Sequence, residues 1–174
     1  MGMKRTFKTV NYEQALDLVT RLVDEADASG LDFPLSYGLL TRACALVSTR
    51  RLLASRRVLA DLAKRDTGSA HIFGNAIMCT AKLHVAAGDL DRAAAVPDVE
   101  PPSGANRPLV GELLALRGLI EASRGSIRVA EAALSHAEEM SRYVDATGPA
   151  ALGRAVIALH KDFDDSRALA VAAV

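Results

Sequence analysis

Five small residues recur along this 174-residue chain at a nearly fixed interval, and that recurrence restricts the fold more than any other feature. They are Ala15, Ser55, Ala93, Ala130 and Ser166, spaced 40, 38, 37 and 36 residues apart. Each has a hydrophobe three positions before it: Tyr12, Leu52, Leu90, Ile127 and Phe163. Four positions after come Val19, Leu59, Pro97, Leu134 and Ala170. Twelve positions before three of them lie further small residues, Ala43, Ala81 and Gly118. Two antiparallel helices approach closely only where side chains are small, while larger residues fill the groove against the next pair. The pattern therefore predicts helical hairpins of 36–40 residues arranged as a repeat array. The best-kept copy runs from Glu112 to Tyr143, where two amphipathic segments meet at Arg124-Gly125-Ser126.

Composition agrees with an all-α chain. Half of the residues are apolar, enough for a core, yet aromatics make up only 4% and tryptophan is absent. Helix formers such as Ala, Leu, Arg and Glu dominate, and no period-two run of β-branched residues appears. Taken in order, helices are expected over 11–30, 33–48, 51–65, 69–87 and 90–96, then across the 112–143 hairpin, over 150–160 and from 163 to the end, about nine in all. Asn11 and Ser69 serve as N-caps, and Gly30 closes the first helix. The segment 97–108, with four prolines and a glycine, cannot continue a helix and reads as an irregular loop. Residues 1–174 are expected to form one repeat domain.

Several function classes lose support. Formal net charge is zero, so a large nucleic-acid footprint is not expected. Residues 1–87 carry 12 Lys/Arg against 8 Asp/Glu, and residues 88–174 carry 9 against 13, a modest polarity that suits solvated helix faces. The basic run Arg50, Arg51, Arg56, Arg57, Lys64 and Arg65 is interrupted by Asp61 and Asp66 and reads the same way. Cys44 and Cys79 lack metal-site spacing and are expected to be small buried hydrophobes in a reducing compartment. His71, His84, His136 and His160 form no metal set, and no cofactor is expected. No nucleophile elbow or phosphate loop is present, so no enzyme activity is expected. No apolar run reaches a membrane span and no signal peptide opens the chain, which points to a cytoplasmic location.

The pattern Gly118, Gly125, Ala130, Leu134 and Ala137 resembles a tetratricopeptide repeat, with a period longer than the standard ~34 residues. Longer, degenerate repeats of this kind resemble the helical sensor region of large bacterial LuxR-type transcriptional regulators that carry an ATP-binding module, the MalT-like group. The runs 107–118 (RPLVGELLALRG) and 130–134 (AEAAL) are similar to the repeat segments of such regulators from high-GC actinobacteria. The resemblance implies a right-handed α-α superhelix that binds a peptide, a protein or a small effector on its concave face. It places an ATPase before this chain and a helix-turn-helix reader after it, and so treats the chain as a piece of a longer protein. The alternative is a free-standing tetratricopeptide-like scaffold with no DNA-linked role. In such arrays the first helix of each pair lines the concave face. The resemblance thus assigns the groove to Tyr37, Leu40 and Cys44; to Asn75, Met78 and Lys82; and to Glu112, Ala115 and Leu119. The terminal stretches 11–28 and 163–174, each lacking a neighbouring repeat, are expected to support homo-oligomer formation.

Overall fold

The computed structural model describes residues 12–65, 68–96, 107–140 and 147–172, with the backbone alone at 107, 147 and 165–172. Asn11 and most of the proline-rich segment lie outside the described residues. The described residues form eight α-helices and no strand: α1 (Tyr12–Ala28), α2 (Asp32–Ser48), α3 (Leu52–Ala63), α4 (Ala70–Ala86), α5 (Leu90–Ala95), α6 (Arg107–Ser123), α7 (Ile127–Met140) and α8 (Thr147–Ala172). They fall into two compact units, Met1–Thr67 and Gly68–Val174.

One turn recurs after α1, α2, α4 and α6. A single residue takes positive φ: Gly30 (65°), Arg50 (60°), Gly88 (77°) and Gly125 (81°). Its N–H donates to the carbonyl three residues back, at 3.1 Å for Gly30 and 3.0 Å for the other three. The next N–H donates five residues back: Leu31 to Ala26 (2.9 Å), Arg51 to Leu46 (2.8 Å), Asp89 to His84 (3.0 Å) and Ser126 to Glu121 (2.9 Å). This pair of bonds is the Schellman closure, which satisfies the carbonyls that a helix end leaves open. Leu52, Leu90 and Ile127, the hydrophobes of the sequence pattern, are the first residues of α3, α5 and α7. Ser69 caps α4 by accepting from Ile72 N–H, and Asp89 caps α5 by accepting from Arg92 N–H.

Inside each hairpin the small residues twelve apart meet. Ala43 and Ser55 are fully buried, and Ser55 Oγ donates to the Ala43 carbonyl at 3.0 Å across the α2–α3 interface. Ala81 and Ala93 are fully buried in one cluster joining α4, α5 and α6. At Gly118 a Cβ would lie 2.5 Å from both Cγ and Cδ2 of Leu134 and 3.3 Å from the Ala130 carbonyl oxygen.

In the second unit α6 packs against α4, α5, α7 and α8. Its residues Leu109, Leu113, Leu116 and Ile120 join Ile77, Met78, Ala81 and Ala93. Its Ala115 and Ala122 join Ala130, Leu134, Ala137, Ala150 and Ile157. Near its end the buried Glu121 carboxylate accepts twice from Arg124 at 3.1 Å, and Arg124 also reaches Asp91 at 3.0 Å, tying α6 to the start of α5. Helices α7 and α8 are linked by Glu131–Lys161 (2.8 Å) and Glu138–Arg154 (3.0 Å), each two turns along in opposite order, the register of an antiparallel pair. The Lys161 hydrogen bond, and then its charge, holds the Glu131 carboxyl below its ordinary range.

The end of the chain departs from the expected pattern. Thr147, Gly148 and Pro149 belong to the first turn of α8, where proline is tolerated. The turn expected near Lys161 is absent, and Phe163 lies inside α8, so the described helices number eight rather than about nine. The reason is local: no glycine or proline lies beyond Gly153, whereas the described turns after α1, α2, α4 and α6 each use a positive-φ residue. Gly118→Ala should destabilise the second unit by roughly 1–3 kcal/mol through overpacking against Leu134. That loss exceeds the ~1 kcal/mol gain in helix propensity. Urea unfolding of the two proteins checks this, and a stabilised variant would contradict the close approach.

Candidate functional site

Helical spacing brings ten residues of the first unit around one cleft of about 500 Å³. Leu16, Asp17 and Thr20 come from α1, and Arg42 and Leu46, one turn apart, from α2. Arg51 stands at the N-cap of α3, followed by Ala54, Arg57, Val58 and Asp61 at i, i+3, i+4 and i+7 spacing. The floor is apolar: Leu16 and Leu46 are buried in a cluster with Val19 and Ala45, and Val58 packs against it. Thr20 Oγ1 donates to the Leu16 carbonyl at 2.8 Å, so its hydroxyl proton is already placed.

The charges of the cleft are only partly matched. Arg51 donates to both carboxylate oxygens of Glu13, at 3.1 and 3.3 Å. Asp61 is paired with Lys64 at 2.9 Å. Among the described residues, Arg42 and Arg57 make no ion pair within 4.0 Å, and Asp17 makes none either. Arg42 Nε is buried and has no hydrogen-bond partner. A donor in that state costs stability, and guanidinium groups are normally satisfied when buried. The N-terminus of α3 adds to the positive field, since no side chain caps it and its first turn holds no acidic residue. A smaller cleft of about 340 Å³, lined by Val23, Asp27, Leu35, Leu39, Asp61, Lys64 and Arg65, has both cations paired: Lys64 with Asp61, and Arg65 with Asp27 at 3.9 Å.

The expected groove residues divide by exposure. Tyr37, at 45%, and Cys44 are exposed on α2, and Tyr37 stacks on Phe33 with ring centroids 6.3 Å apart. Lys82 is exposed on α4, while Asn75, Glu112 and Leu119 are half-buried. Leu40, Met78 and Ala115, the middle member of each trio, are buried core residues. At about 100° per residue, a step of seven returns to nearly the same face, whereas a step of three lands some 60° away. The middle member of each trio therefore turns into the packing. Cys79 is buried as expected, but Cys44 is not, because it shares the outer face of α2 with Tyr37, Thr41 and Ser48. Half of the basic run, Arg51, Lys64 and Arg65 at the two ends of α3, is ion-paired, and Arg57 belongs to the cleft. Sequence reasoning missed this site. Its one visible signal was Arg42, a charged residue between the apolar Leu39, Ala43 and Leu46 of an otherwise hydrophobic helix.

Among the described residues no group of three His, Cys, Asp or Glu could hold a metal ion, and no helix is long and apolar enough to cross a membrane. No protein-family model, curated protein or solved structure matches the chain.

Replacing Arg42 by Met keeps the apolar stem and removes the unpartnered donor. Arg42→Met should leave stability unchanged or raise it by about 1 kcal/mol, the cost of an unmade buried hydrogen bond. Chemical denaturation measures this, and a loss of 2 kcal/mol or more would show instead that Arg42 is structural.

Proposed function

We propose that this chain is a non-catalytic helical-repeat module that binds a protein, a peptide or a small effector, and that it serves as the sensor region of a bacterial LuxR-type transcriptional regulator in the cytoplasm. The observation that carries the repeat reading is the turn and small-residue contact kept at matching positions in α2–α3, α4–α5 and α6–α7. Helical pairs that cannot cover their own apolar faces gain stability by stacking, and stacking creates an extended concave surface. In this reading the hairpins form a right-handed tetratricopeptide-like superhelix whose concave face is lined by α2, α4 and α6. Its accessible members are then Tyr37, Cys44, Asn75, Lys82, Glu112 and Leu119. The regulator assignment rests on the resemblance of the 107–118 and 130–134 runs.

Peptide and metabolite collections screened by thermal shift should yield a stabilising ligand whose effect is lost in Lys82→Glu. A ligand indifferent to every substitution on α2, α4 and α6 would refute the concave-face reading. The encoding locus should hold a phosphate loop upstream and a helix-turn-helix downstream. Without them the regulator assignment fails and the free-standing scaffold stands in its place.

The same reading includes self-association, expected at 11–28 or 163–174; the side chains of 165–174 lie outside the described residues, and the apolar face preceding them on α8 extends the second stretch. On α8, Leu152, Leu159 and Phe163 are 55%, 69% and 68% exposed, and with Val156 they form one apolar stripe at helical spacing. Light scattering at high concentration should show a species larger than the monomer, returned to the monomer by Leu159→Glu. A strictly monomeric wild-type chain would rule this out.

A further inference from the structure

We infer that the cleft between α1, α2 and α3 is a binding site for a small organic oxyanion, a carboxylate or phosphate group attached to an apolar body. Size, floor and charge agree on this class. About 500 Å³ lies within the range of small-molecule clefts and admits a single-ring ligand with room to spare. The floor of Leu16, Leu46 and Val58 offers apolar contact and no hydrogen-bonding side chain. The polar groups that line it are dominated by guanidinium, the planar fork that matches a carboxylate or phosphate with two parallel hydrogen bonds.

The state of each charge narrows the choice further. Arg51 is occupied by Glu13 and Asp61 by Lys64, which leaves Arg42 and Arg57 facing the single carboxylate of Asp17. One positive charge is therefore unbalanced at the cleft, and an anion supplies it. Arg42 carries the argument, because it lines the cleft half-buried beside the apolar Leu39, Ala43 and Leu46 and makes no ion pair among the described residues. A cation-binding cleft would show the reverse excess. Asp17 selects within the class: it repels a second anionic group on the α1 side and so favours ligands with one oxyanion head.

The site gives the binding-module reading a ligand class and rests on that reading for its role. It differs from the concave-face assignment in its residues, so the two fail separately: Lys82→Glu tests that face, and substitutions of Arg42 and Arg57, which are not among its members, test this cleft.

The experiment is isothermal titration of the full chain with four probes at constant ionic strength. Benzoate and phenyl phosphate carry head and body, inorganic phosphate carries the head alone, and benzyl alcohol the body alone. Benzoate or phenyl phosphate should bind at least ten-fold more tightly than either half-probe, and the stronger of the two identifies the head group. Arg42→Met and Arg57→Gln should each weaken that binding ten-fold or more. Arg56→Gln, on the same helix outside the cleft, should leave it unchanged. Circular dichroism of each variant separates lost binding from lost fold, and Arg57→Gln keeps the test open if Arg42→Met unfolds. No heat with either complete probe, or equal affinity in wild type, Arg42→Met and Arg57→Gln, would overturn the assignment.

Discussion

Everything in the second unit depends on how closely α6 can approach its neighbours. Gly118 permits one such contact, with the Leu134 side chain in the space where a Cβ would stand, and Gly74 of α4 does the same for Leu109 of α6. The Gly118 contact seats α7, and α7 with α6 then seats Ala150 and Ile157 of α8 in one cluster. The opposite side of α6 covers α4 and α5 through a row of four larger residues. Small residues set the distance and large ones the fill, so a single helix can serve two interfaces. The α2–α3 hairpin of the first unit uses the same device with a polar variation. Ser55 occupies the position of Ala93 and Ala130, and its hydroxyl is satisfied by the Ala43 carbonyl. A buried serine is tolerated there because its one donor has a partner.

Charge is handled in two ways. Most ion pairs lie on exposed faces and register one helix against the next, as Glu131–Lys161 and Glu138–Arg154 do between α7 and α8. Such pairs contribute little energy each and mainly set alignment. The buried Glu121 is different, since its carboxylate is withdrawn from water and Arg124 supplies the partner it then needs. Against this background Arg42 stands out. Arg124 is paired with two carboxylates, yet the Arg42 Nε is left without an acceptor beside a cleft. Local conflict of that kind is where folded proteins keep their function, because a site that satisfied itself would have no use for a ligand.

Much of the fold was legible in the chain. The small residues at 43 and 55, 81 and 93, and 118 and 130 were visible because close helix contact tolerates few residue types. The turns at Gly30, Gly88 and Gly125 were visible because positive φ favours glycine. Arg50 takes the same conformation without that marker and was found only from the spacing around it. The continuous α8 was misread as two helices because periodicity at Phe163 and Ser166 mimicked a repeat start while the breaker residue was missing. Of the candidate cleft only Arg42 left a sign in the sequence. The lining residues come from three helices and span positions 16 to 61, and no local spacing rule links Asp17 to Arg42 or Arg57.

The sequence by itself determined helices, hairpins and the places where they touch, since these depend on interactions within one turn or between residues twelve apart. It could also say that half of each helix would be covered. Only the tertiary structure decided which half. Leu40, Met78 and Ala115 were buried while Tyr37, Cys44 and Lys82 were left outside, a difference of some 60° of helix rotation set by the neighbouring helices. The same packing decided that, of the scattered basic residues, Arg42 would lie against an apolar floor with no acceptor for its Nε. Hydrophobic burial fixes a helix's rotation, and whatever polar groups that rotation turns inward must then find partners or remain unpaired.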